Sequence, residues 1–84
     1  MPSMHLRLLF FATYRDLAGT PELELDVPGG STAAQVVAEL RARGGGFARL
    51  PAAPVVAVNR EYAPLATGLA DGDELALLPP VAGG

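Results

Sequence analysis

Only one stretch of this 84-residue chain has the period and length of a helix able to cover a sheet, and its surroundings read as strand or turn. Thr32 to Gln35 fits the capping-box pattern that opens a helix, with Ser31 as the rival cap. Ala33, Val36, Val37 and Leu40 follow at i, i+3, i+4 and i+7, one face of a helix over 32–43. Gln35, Glu39, Arg41 and Arg43 lie mostly off that face, and Gly44, Gly45 and Gly46 end it. A second long helix between Leu50 and Asp71 is discouraged by Pro51, Pro54, Pro64 and Gly68. Half the residues are apolar and none is cysteine, so one small domain must build a single core without disulfides.

The strands follow from alternation. Met4 to Phe11 places Leu6, Leu8 and Phe10 on one face, and His5, Arg7, Leu9 and Phe11 on the other. Thr13 to Leu17 is expected as a short helical turn stopped by Gly19 and Pro21. Glu22 to Val27 alternates with Leu23, Leu25 and Val27 inward and three carboxylates outward. Val56 and Val58 mark a third strand, Tyr62 a brief pairing segment, and Leu75 and Leu77 the inward face of the last strand. Leu65 and Leu69 are expected as core plugs in the loop between them. Strand, strand, long helix, strand, short strand, strand is the order of an α+β, ubiquitin-like β-grasp fold. Its mixed sheet carries one main helix across one face. Pro79 and Pro80 forbid further ladder pairing, which divides the chain into a domain over 1–80 and an extended, flexible tail over 81–84.

Several function classes are disfavoured. All six basic residues are arginine, scattered through a chain of net charge −3, so no basic stripe tracks a nucleic-acid backbone. Without lysine, no side chain accepts an isopeptide bond. No apolar run approaches the roughly 20 residues of a membrane helix, and Met1 to Arg7 lacks the layout of a signal peptide. With no cysteine, a cytoplasmic setting is expected. His5 has no companion ligand for a metal and reads as a surface residue. Asp71, Asp73 and Glu74 crowd one turn, read as solvated charge or as an acidic docking patch. No side-chain constellation for catalysis is evident.

The C-terminal Gly83 and Gly84 remain. Glycine has no Cβ, so a Gly-Gly tail can thread a narrow channel and present its carboxylate for adenylation and conversion to a thiocarboxylate. Three blocks carry a resemblance: LLFFATYRDLAG over 8–19, VAVN over 56–59, and LADGDELALLPPVAGG over 69–84. Together they closely resemble the small-subunit family of molybdopterin synthase, over almost the whole chain and in matching order. The resemblance implies that an E1-like enzyme uses ATP to adenylate Gly84 and that a sulfur donor converts it to a thiocarboxylate. The tail then enters the large subunit, where sulfur passes to the pterin precursor. It further implies that Gly83 keeps the tail thin, that Arg15 lies near the large-subunit interface, and that the chain itself binds no cofactor or metal. Leu77 and Leu78 stand where family members often carry aromatics.

In a β-grasp sheet the first and last strands are parallel neighbours, so Leu9 and Phe11 should adjoin Ala76 and Leu78 on the open face. With Pro80 and Val81 at the root of the tail, these residues form an expected docking surface for the large subunit and the activating enzyme. Two alternatives share the Gly-Gly terminus: a sulfur carrier for thiamine or another thiolation pathway, and a protein-conjugating ubiquitin-like modifier. A plain interaction module with an inert tail is the third.

Overall fold

A computed structural model describes residues 2–80; the expected tail over 81–84 lies outside the described residues. Five strands form one sheet: β1 (Ser3–Phe10), β2 (Glu22–Pro28), β3 (Val55–Val58), β4 (Glu61–Ala63) and β5 (Glu74–Leu78). Their spatial order is β2-β1-β5-β3-β4, with β1 and β5 parallel and the other pairs antiparallel. The main helix, α2 (Ala33–Ala42), crosses one face; α1 (Thr13–Ala18) follows β1, and a 3₁₀ turn, η1 (Gly45–Arg49), follows α2. This is the β-grasp arrangement that the order of elements predicts.

Each element has a local cause. The alternation of β1 is realised with Met4, Leu6, Leu8 and Phe10 buried under the helix. The capping box of α2 is complete: the Thr32 hydroxyl accepts from the Gln35 amide, and the Gln35 side chain accepts from the Thr32 amide. Val36, Val37 and Leu40 are almost wholly buried, in one cluster with Leu6, Leu8, Leu25, Val56 and Leu77. Leu69 joins that cluster; Leu65 and Val58 pack against its rim.

Some boundaries and roles differ from expectation. β1 closes at Phe10, so Phe11 and Ala12 form a corner into α1 rather than the end of the strand. The glycine run divides its work. Gly44 takes a positive φ (81°) just past the helix, whereas Gly46 lets backbones touch: a Cβ there would sit 1.8 Å from the Leu17 carbonyl oxygen. Tyr14 and Leu50, unassigned from the sequence, are buried with the core, and the Phe10 and Phe47 rings meet at 6.0 Å, seating η1 over the end of β1.

Candidate functional site

The sheet face away from α2 is organised in rows by its register. Phe11 follows β1, and Leu78 pairs with Val55 at the same end of the sheet. In the next row Leu9 faces Ala76, Ala76 faces Ala57, and Ala57 faces Tyr62. Then the chemistry changes: Arg7 lies between Glu24 and Glu74, and His5 faces Asp26. The face is therefore apolar at one end and charged at the other. Because β1 and β5 are parallel, the apolar end is the one from which Pro79 and Pro80 leave the sheet.

Two shallow grooves of about 470 Å³ each mark that end. One is lined by Leu9, Phe11, Ala57, Ala76, Leu78 and Tyr62, with Arg60 and Glu74 at its charged margin. The other lies between Phe11, Val55, Tyr62, Leu78 and Pro80, beside the root of the tail. Phe11 is 46% exposed, Val55 49% and Tyr62 79%, the exposed large hydrophobics of the described residues. A third groove, about 310 Å³, lies at the far end of the fold between the β2–α2 turn and the first turn of α2, away from all residues expected from the sequence.

The structure thus brings Leu9, Phe11, Ala76, Leu78 and Pro80 together. Val55 and Tyr62 complete the surface and were not singled out from the sequence. Their signal was an apolar residue on each outward strand position, which needs the pairing of β3 with β5 and β4 to be read. Arg15 is exposed on α1, one turn past Phe11, and lines neither groove. Val81, Gly83 and Gly84 lie outside the described residues. Ala12, between Phe11 and α1, has φ 50°, a conformation uncommon for a residue with a Cβ, at the corner that turns Phe11 outward.

The charged end is held internally. The His5 ring is within 2.7 Å of Asp26 Oδ1 and 2.5 Å of Glu24 Oε1. These hydrogen bonds, Asp26 first and Glu24 second, raise its pKa above the ordinary 6.5. The carboxylates of the β5 turn are bonded to neighbouring groups. Asp71 accepts from the His5 amide, Asp73 accepts from the Ala70 amide and the Asn59 side chain, and Glu74 lies 3.7 Å from Arg7. No group of three or more His, Cys, Asp or Glu that could hold a metal ion occurs among the described residues, nor does a helix long and apolar enough to cross a membrane.

Residues 8–84 match the model of the ThiS family. The molybdopterin synthase sulfur carrier subunit of Arabidopsis thaliana is 35% identical, over 98% of this chain and 85% of that protein. The crystal structure of small archaeal modifier protein 1 from Haloferax volcanii superposes with a TM-score of 0.72 at 32% identity, covering 93% of this chain and 99% of that one. In the complex of subunits 1 and 2 of the Helicobacter pylori molybdopterin-converting factor, a similar chain gives a TM-score of 0.64 at 27% identity, covering 96% of this chain and all of that one. The chain therefore belongs to the ThiS family, together with the molybdopterin synthase sulfur carrier subunits.

Proposed function

We propose that the chain is the sulfur carrier of a molybdopterin synthase and that it reacts through Gly84. The observation that carries this reading is the apolar end of the open sheet face, which surrounds the root of the tail. A carrier that hands its C-terminus to an enzyme needs a docking surface fixed relative to that terminus, and Phe11 and Leu78 line one groove with Pro79 and Pro80, with Leu9 and Ala76 in the adjoining groove. In this reading Val81 and Gly83 lead Gly84 toward the partner's active site, and Arg15 borders the contact.

In this reading the Gly84 carboxylate oxygen attacks the α-phosphorus of ATP on an E1-like activating enzyme, expelling pyrophosphate. Sulfide-level sulfur released by a donor then attacks the acyl carbon and AMP leaves, giving a thiocarboxylate. Inside the large subunit that sulfur attacks a carbon of the pterin precursor (precursor Z, cyclic pyranopterin monophosphate), an oxygen substituent leaves that carbon, and water hydrolyses the resulting thioester to release Gly84 as carboxylate. The reactive group is on the main chain, so the carrier is a non-catalytic subunit, binds no cofactor of its own and works in the cytoplasm, where ATP is available. Intact mass spectrometry of the protein from its native cell tests this. Replacement of one terminal oxygen by sulfur is the expected result; only the unmodified carboxylate, in cells making molybdopterin, contradicts it.

The likeness to small archaeal modifier protein 1 supports a second reading, a protein tag joined through Gly84. The same extracts separate the two: tryptic peptides in which residues 61–84 of this chain, the fragment following Arg60, are joined through Gly84 to lysines of other proteins favour the tag.

A further inference from the structure

Among the described residues, three that carry a Cβ take a positive φ: Ala12 at 50°, Asn59 at 50° and Arg60 at 74°. A Cβ crowds the backbone in that region, and glycine is free of the cost. Two of the three are accounted for by their surroundings. Ala12 makes the corner that turns Phe11 outward. Asn59 locks the turn before β4. Its side chain donates to Asp73 Oδ1 and accepts from the Glu74 amide, and its own amide donates to the Glu74 carbonyl. Asparagine also enters the left-handed region more readily than most residues.

Arg60 has no such account. Val58 pairs with Glu61, so Asn59 and Arg60 are the central residues of a tight hairpin whose second position favours glycine. The Arg60 side chain takes part in none of the hydrogen bonds or ion pairs among the described residues. It is exposed, and it is the one cation lining the groove of Leu9, Phe11, Ala57, Ala76 and Leu78. The acid of that groove, Glu74, lies 3.7 Å from Arg7 and has a side chain only 17% exposed. Glu61, next along the chain, is exposed and makes no ion pair with Arg60. The turn thus holds an unpaired guanidinium at the edge of an apolar surface, on a backbone that glycine would occupy with less strain.

We propose that Arg60 is a specificity-determining docking residue, whose guanidinium donates to an acceptor oxygen of the synthase large subunit at the rim of the apolar contact. The proposal rests on the sulfur-carrier reading and adds the polar contact that orients the docked carrier. Apolar burial is non-directional, so the open face alone leaves the carrier free to rotate on its partner. The planar fork of a guanidinium accepts only a narrow range of acceptor geometries. Placed at the charged margin of the groove, it fixes that rotation and with it the direction in which the tail leaves. Exclusion of water by the neighbouring apolar residues strengthens the hydrogen bond.

Titration calorimetry with the large subunit, paired with urea unfolding of the full chain, tests this. Arg60→Gly should keep or raise the urea midpoint while weakening binding roughly tenfold. A residue serving only the fold would lower both together. Arg60→Met keeps an apolar stem without the guanidinium and should weaken binding to a similar degree. Arg41→Gln removes the same charge from α2, on the other side of the sheet, and should bind as wild type does. Repeated in about 1 M salt, a loss that shrinks identifies the acceptor as a carboxylate, and one that persists identifies a carbonyl. Undiminished affinity in Arg60→Gly or Arg60→Met overturns the proposal and leaves the carrier reading intact. A midpoint that falls in step with affinity in Arg60→Gly, or equal weakening by Arg41→Gln, overturns it too. Wild-type protein that fails to bind the large subunit overturns the carrier reading, and the role of Arg60 with it.

Discussion

Phe11 and Leu78 stand at the apolar end of the open face without serving the core beneath it. Phe11→Asp or Leu78→Asp should leave the circular dichroism spectrum and melting temperature close to wild type. Either should weaken binding to the large subunit by about 2 kcal/mol or more, since a carboxylate would be desolvated at the centre of the contact. Titration calorimetry checks this, and undiminished affinity removes that face from the interface. His5 makes a prediction of opposite character. Its pKa is raised in the folded chain, so its pairing with Asp26 and Glu24 favours the fold most below the ordinary 6.5 and is lost as pH rises through the raised value. His5→Gln should therefore show its largest stability deficit between about pH 4, where free carboxylates protonate, and pH 6.5. Because the ring is exposed, the effect should be small and salt-sensitive. Denaturant midpoints across pH measure it; a deficit that grows above pH 7 contradicts the pairing.

At the scale of elements, α2 and the strands were legible because their residues repeat at 3.6 or 2 and their ends carry caps or prolines. Thr32 with Gln35, and Leu6 with Leu8, signal their environments without knowledge of any partner. What was not legible depends on tertiary meeting points. Nothing near Gly46 announces that it must touch Leu17, and Tyr14 and Leu50 are buried only because η1 folds back over α1 and β1. The carboxylates of Asp71 and Asp73 likewise find their donors only once the turn before β5 lies beside His5 and Asn59. Gly46→Ala tests this packing: its Cβ meets backbone rather than a movable side chain, so a loss of about 1–3 kcal/mol is expected in urea unfolding. Gly68→Ala, where a Cβ meets nothing within 4 Å, is the matched control and should cost much less.

At the scale of the whole molecule, the sequence located the apolar face through one topological expectation, the parallel pairing of β1 with β5. That pairing puts Leu9 beside Ala76 and sets the tail at the apolar end of the sheet. Tyr62 and Val55 were missed because β4 and the start of β3 join the surface only through the sheet order. In the proposed reading the carrier has two parts, a face that docks and a terminus that reacts, and the two fail independently. Reconstitution of molybdopterin synthesis from precursor with purified large subunit, activating enzyme, ATP and a sulfur source measures this directly. Deleting Gly84 should abolish product while leaving the melting temperature and large-subunit affinity near wild type. Product formed by the Gly84-deleted chain at the wild-type rate would contradict the claim that sulfur travels on that residue.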